Sequence, residues 1–257
     1  MPRSDQRTRR SLPTILPKVV LFDMDDTIFD HSLSCRAALG RLRRGHRFLR
    51  ARSLDDLQQE YLRLLGVMHR DVALGRRTRE EARAERFLRL ADWQGHPIDP
   101  RTAVGLAEEY REHYLRLRRP VRGAPEFLRA LNGRTRIGIV TNSTTLEQTE
   151  KLAFLGLDRI VEFLVTSEEI GAAKPEPAIF RAALDRAGAL PSEAVMVGDW
   201  WAGDIVGARD VGIRAVWFNR FGATAPSSLA APEFSSFRPV HRLERLLEIP
   251  GPPSPGS

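Results

Sequence analysis

The sequence predicts an α/β protein, a doubly wound parallel sheet with an inserted all-helical cap domain. Three observations predict it. Short apolar runs at residues 19–22, 137–140, 163–165, 195–197 and 215–218 have the length and near-continuous apolarity of strands buried on both faces. Helical patterns alternate with these runs from Thr144 onward, as parallel strands joined by crossovers require. Roughly a hundred residues with no strand-like run separate the first strand from the second, and that interval reads as helices throughout.

Taken in order, residues 1–16 form a basic, polar arm expected to be loosely ordered, as are residues 250–257, rich in Pro, Gly and Ser. Residues 17–31 and 120–249 make the core, and residues 32–119 the insertion. Within the insertion, Ser32 or Ser34 can cap a helix running through Leu49. Ser53 with Asp56 opens a second, Thr78 with Glu81 a third, and Asp99-Pro100 a fourth that ends before Pro120. In the second half, Thr144 with Glu147 reads as a capping box for a helix stopped by Gly156. A further helix from Glu176 to Ala187 is stopped by Gly188.

Composition bounds the partners. The 257-residue chain is 42% hydrophobic, enough for a sizeable core, and carries a net charge of +7. The arginines alternate with acids, as in residues 79–86, which is the pattern of a solvated, salt-bridged helix face rather than a nucleic-acid surface. No specific nucleic-acid partner is expected. No apolar run approaches the roughly 20 residues that cross a bilayer, and the start lacks a hydrophobic signal core, so no membrane partner and a cytoplasmic location are expected. The single cysteine, Cys35, forms neither an internal disulfide nor a multi-cysteine metal site and agrees with a reducing compartment. Lysine is confined to Lys18, Lys151 and Lys174. In a chain that uses arginine for ordinary surface charge, a surviving lysine is a candidate for a specific task.

Every strand-like run leads directly into polar residues: Asp23, Thr141-Asn142, Thr166-Ser167, Gly198-Asp199 and Asn219-Arg220. Ligands of open parallel sheets bind at the carboxyl ends of the strands, so these groups converge on one crevice. Loops are polar in any case, but that does not explain carboxylates heading two of the five. The cluster Asp23-Met24-Asp25-Asp26-Thr27 repels itself unless a cation offsets the charge. Oxygen-only ligands point to Mg²⁺, with Asp199 closing the coordination from another strand.

Asp23-Met24-Asp25-Asp26-Thr27, Thr141-Asn142-Ser143, Lys174-Pro175 and Gly198-Asp199 with Asp204 resemble the four ordered motifs of the haloacid dehalogenase (HAD) superfamily. The resemblance spans residues 19–222 and implies a Rossmann-like core with a helical cap, in the phosphatase branch. It implies that Asp23 is the nucleophile and Asp25 the general acid and base. It also implies a metal held by Asp23, Asp25 and Asp199, Asp25 through its backbone carbonyl. Thr141, Asn142 and Lys174 would hold the phosphoryl group, with Thr27 and Asp204 supporting the site from behind. Elementary chemistry agrees, because a carboxylate nucleophile splits hydrolysis into two transfers and the leaving alkoxide needs a proton from a second carboxyl.

Some residues depart from the family pattern. Asp26 stands where many relatives have glycine or asparagine, and a turn-capping side chain is the simplest reading. Trp200-Trp201 can line the crevice or anchor a loop. His31, at the hinge into the insertion, can reach a leaving group or be merely structural. The other five histidines show no metal-ligand spacing.

Asp25 favours phosphoryl transfer over carbon–halogen cleavage, which has no alkoxide to protonate. The expected activity is hydrolysis of a small phosphate monoester, of the sugar phosphate, phosphoglycolate or nucleotide class, through an aspartyl phosphate. A closing cap excludes large substrates and bulk water, and Arg36, Arg41, Arg43, Arg44 and Arg47 can meet an anionic substrate. A phosphomutase needs the same residues and remains open. The rival from another class is a nucleic-acid-binding protein with a relic site, against which the joint presence of Asp23, Asp25, Thr141, Lys174 and Asp199 counts. The oligomeric state is not legible.

Overall fold

A computed structural model describes residues 14–73, 76–226 and 230–251. The first strands are β1 (Thr14–Ile15) and β2 (Val19–Phe22), followed by α1 (His31–Gly45), α2 (Leu54–Ala73), α3 (Arg79–Trp93) and α4 (Pro100–Leu117). The chain returns through α5 (Ala124–Leu131) to β3 (Arg136–Thr141), α6 (Thr145–Leu155) and β4 (Phe163–Thr166). Next come α7 (Ser167–Ile170), α8 (Pro177–Ala187) and β5 (Ala194–Gly198). A π-helical turn at Trp201–Val206 leads to α9 (Gly207–Asp210), β6 (Arg214–Phe218), β7 (Glu233–Phe234), α10 (Val240–Leu247) and β8 (Ile249–Pro250).

The main sheet is parallel, in the order β4-β3-β2-β5-β6-β7, with Phe22 paired to both Ile139 and Val197. Side chains alternate across a strand, and β2 shows why its apolar run is continuous. Val20 and Phe22 enter a core with Phe127, Leu152 and Leu243, whereas Val19 and Leu21 enter another with Ile179, Phe180 and Ala208. The sheet is therefore covered on both faces, as expected for a doubly wound fold. Gly138 lies under Phe163, where a Cβ would come within 2.3 Å of the ring. The helices α1–α4 close a third core around Cys35, Leu39, Tyr61, Phe87 and Tyr110.

Local differences have local causes. A sixth strand, β7, is two residues long and carries no apolar run, so only its pairing with Trp217 and Phe218 reveals it. Asp30, not Ser32 or Ser34, caps α1 by accepting from the Leu33 N–H at 3.1 Å. The helix ends at Gly45, and a 3₁₀ turn at Arg47–Arg50 carries the chain past Leu49. Thr78 with Glu81 and Asp99 cap α3 and α4 as expected, and Ser53 accepts from the Asp56 N–H. The Thr144–Glu147 box does not form, because Lys151 and Arg79 draw Glu147 away and Glu168 caps Thr145 instead. The ends, expected to be loose, meet where β1 pairs antiparallel with β8, anchored by buried Ile249. Residues 1–13 and 252–257 of the expected arm and tail lie outside the described residues.

Candidate active site

The carboxyl ends of the two central strands bring the first cluster together. Asp23 extends β2 by one residue, its N–H donating to Val197 O at 2.9 Å, and it is 6% exposed. Buried Lys174 donates from Nζ to Asp23 Oδ1 and to Asp204 Oδ1, each at 2.6 Å. Asp204, at the π-helical turn, also accepts from the Trp200 N–H at 3.0 Å, so both of its oxygens are engaged. Gly198 makes room for it, since a Cβ there would lie 2.2 Å from Asp204 Oδ2. Asp199 accepts from the Thr27 hydroxyl at 3.1 Å, and the same hydroxyl accepts from the Asp199 N–H.

Carboxylate oxygens of Asp23, Asp199 and Asp204 lie within 4.8 Å of one another. Burial pushes the Asp23 carboxyl up to about 7, with Lys174 opposing and Asp204 adding to the rise. Burial, with Asp23 and Asp204 nearby, pushes Asp199 up to about 9. Burial also works against the charge of Lys174, yet Asp204 and Asp23 hold its ammonium above the ordinary range. One lysine cannot offset three carboxylates, and the donor set is all hard oxygen, so the cluster fits a divalent cation.

Asp25 points elsewhere. Lys151 of α6 donates to both of its oxygens, at 2.7 and 2.9 Å, and Gln148 donates to one at 3.1 Å. Burial opposes the charge, but Lys151 and His31 leave Asp25 below its ordinary value. Its carboxylate therefore stands apart from the acidic cluster, while Asp204 stands within it. Thr141 ends β3 buried, and Asn142 exchanges two hydrogen bonds with the backbone of Lys174, fixing the loop that presents the lysine. His31 Nδ1 lies 2.8 Å from the Tyr114 hydroxyl and 3.9 Å from Asp25.

Asp26 is a turn residue. It adopts the left-handed φ of 65°, caps Ser32 and, with Asp30, holds Arg220 at 2.9 Å. The tryptophan pair divides its work. Trp201 packs edge-on against Trp217, which donates to Asp199 O, whereas Trp200 is 46% exposed and covers Gly203.

Sequence reasoning missed Lys151, Gln148, Glu147 and Tyr114, and the scarcity of lysine was the one signal that singled out Lys151. It also missed the arginines of α3, because their alternation with acids reads as a solvated face. Arg36 and Arg43, expected near a substrate, instead bind Asp55 and the carbonyls of Leu49 and Arg52.

The model of the haloacid dehalogenase-like hydrolase family matches residues 17–212. A glyceraldehyde 3-phosphate phosphatase from Pyrococcus furiosus is 30% identical over 232 residues, 90% of this chain and 92% of the relative. A ribulose-1,5-bisphosphate 5-phosphatase from Halopiger xanaduensis is 31% identical, covering 90% of this chain and 98% of its own. The solved structure of a HAD-hydrolase, YfnB, from Bacillus subtilis shares the fold, with a TM-score of 0.70 at 24% identity, over 90% of this chain and 99% of that one. With most of its length matched and its acidic cluster at the carboxyl ends of the central strands, this chain belongs to the haloacid dehalogenase-like hydrolases.

Proposed function

We propose that the chain hydrolyses a small phosphate monoester with Mg²⁺, through a phosphoryl group carried on Asp23. Its enzyme class, a phosphoric monoester hydrolase, is the one its curated relatives share. One observation carries the mechanism: two carboxylates two residues apart are held by two different lysines, Asp23 by Lys174 and Asp25 by Lys151. Separate holders allow separate tasks.

In the first transfer an Asp23 oxygen bonds to phosphorus as the ester P–O bond breaks, and Asp25 gives its proton to the departing alkoxide. In the second, Asp25 takes a proton from water, which attacks the acyl phosphate, releases inorganic phosphate and restores Asp23. Lys151 favours the ionised Asp25 that this second step needs, and the proton Asp25 takes from water there is the one it gives to the alkoxide of the next turnover. Lys174 offsets charge on Asp23 and the phosphoryl oxygens, and Thr141 with the Asn142 loop borders the same group. Asp23 and Asp199, with the backbone carbonyl of Asp25, would hold Mg²⁺, which when bound supplies positive charge opposite the phosphoryl oxygens. Asp204 keeps Lys174 in place. Residues 32–119 are the cap that selects the substrate. No helix among the described residues is long and apolar enough to cross a membrane, and the lone cysteine supports a cytoplasmic location.

The test is release of inorganic phosphate from a panel of sugar phosphates, phosphoglycolate and nucleoside monophosphates. Release is expected with Mg²⁺, is lost in EDTA, and is restored by adding the ion back. Asp23→Asn should abolish it in a folded protein. Full activity in chelator, or in Asp23→Asn, overturns the mechanism, and isomerised substrate without free phosphate identifies a mutase.

A further inference from the structure

Next to the Asp25 carboxylate lies a cavity of about 90 Å³, bounded by α2, α3 and α4 and by the start of α6. Arg79, Arg83 and Arg86 of α3 and Arg111 of α4 line it, with Glu147 the single carboxylate among its lining residues. Glu147 is already committed, 3.0 Å from Lys151 and 3.7 Å from Arg79. Arg111 lies 3.7 Å from Glu150. Arg83 and Arg86 form no ion pair among the described residues.

Arg86 is the sharpest case. It is 8% exposed, its guanidinium sits 5.1 Å from the Tyr61 ring centre, and its Nε has no hydrogen-bond partner among the described residues. A buried guanidinium without a counter-charge is unfavourable. Other buried atoms of the same wall also lack a hydrogen-bond partner among the described residues: His31 Nε2, His69 Nε2 and Thr144 Oγ1. A wall rich in unmatched donors is complemented by a ligand rich in acceptors, above all an anion. The cavity also meets the reacting centre, because His31 belongs to its lining and stands 3.9 Å from Asp25.

We propose that this cavity receives a second anionic group of the substrate, a carboxylate or a further phosphate, and so selects small phosphomonoesters with two anionic ends. The inference rests on the phosphatase reading above and adds the substrate class. Arg83 and Arg86 supply the free positive charge. Tyr61 with Tyr110 keeps the pocket narrow enough to favour short molecules.

The experiment measures kcat/KM of the full chain with Mg²⁺ for ethyl phosphate, 2-phosphoglycolate and ethylene glycol bisphosphate, with para-nitrophenyl phosphate as a control for chemistry. One of the two doubly anionic compounds should exceed ethyl phosphate by about 10- to 100-fold, the range of a charge-assisted hydrogen bond, and which one does so identifies the second group. In Arg83→Gln that ratio should fall at least about tenfold, mostly through KM. Arg83 is the informative position because it is only partly buried, whereas Arg86→Met risks the fold and is paired with Arg86→Lys, which should retain part of the ratio. Hydrolysis of para-nitrophenyl phosphate with a ratio near one overturns the inference and leaves the phosphatase reading standing. Calorimetric binding of the same compounds to Asp23→Asn gives a readout without turnover. Equal affinities there overturn the cavity's role even if no ester is hydrolysed.

Discussion

Asp23 and Asp25 are two residues apart in sequence and opposite in electrical setting. Asp23 is raised to about 7 by burial among other carboxyls, while Lys151 and His31 outweigh burial at Asp25 and hold it low. Asp25→Asn should therefore separate the two halves of the reaction. With an alkyl phosphate, turnover should fall by about 10²–10⁴-fold, because no proton reaches the alkoxide. With para-nitrophenyl phosphate the first transfer needs little help, and phosphorylated protein should accumulate in a quenched, labelled reaction. Equal losses for both substrates, with no trapped phosphoprotein, would remove Asp25 from the proton path. Gly198→Ala tests the back of the site. Its Cβ would collide with the fully buried Asp204 carboxylate, 2.2 Å away, and so unseat Lys174. Thermal unfolding should reveal a loss of about 1–3 kcal/mol, and kcat should fall at least about tenfold as Lys174 leaves Asp23.

Among the elements, helices α1–α4 share a core of their own, apart from the two that cover the sheet. Tyr61, Phe87 and Tyr110 pack with tilted rings at separations of 4.8–5.7 Å, and Cys35 lies fully buried beside them. Burial pushes the Cys35 thiol up to about 12, so little thiolate exists at neutral pH. A disulfide reagent should leave native protein unlabelled at pH 8 and react only as the helices open. Labelling at the rate of a free thiol would mean that this core is not closed in solution. The elements also show what was legible beforehand. Thr78 and Asp99 were readable as caps because each bonds within three residues of itself. Thr144 was misread because its expected partner, Glu147, answers to Lys151 in its own helix and to Arg79 from a distant one.

At the scale of the molecule, the chain enters and leaves the helical unit at one place. The Asp30 N–H donates to Arg119 O at 3.0 Å, Phe29 bridges Pro120, and Arg220, just past β6, clamps Asp26 and Asp30. Both crossings lie side by side, so the sheet can close without what lies between them. Removing residues 32–119 and bridging the gap should leave a folded protein that hydrolyses para-nitrophenyl phosphate with Mg²⁺ and no longer ranks metabolites as the parent does. The parent's ranking in such a variant would place selectivity in the sheet loops. Its expected loss is consistent with a cavity whose arginines all come from the removed helices.

Sequence alone determined the parallel sheet, the long helical interruption and the candidate nucleophile, because each is written in consecutive residues. An apolar run of four suits a strand covered on both faces, and Asp23 follows one directly. The pairing of Asp23 with Lys174 was legible only through resemblance, since 151 positions separate them. What the tertiary structure decided is which charges are left over. Lys151 became the holder of Asp25, Asp204 joined Asp23 and Asp199, and arginines that alternate with acids along α3 turned part of their charge inward. The reason is physical: a helix face is exposed or buried according to what packs on it, and charge balance at a buried point sums over elements that are remote in the chain.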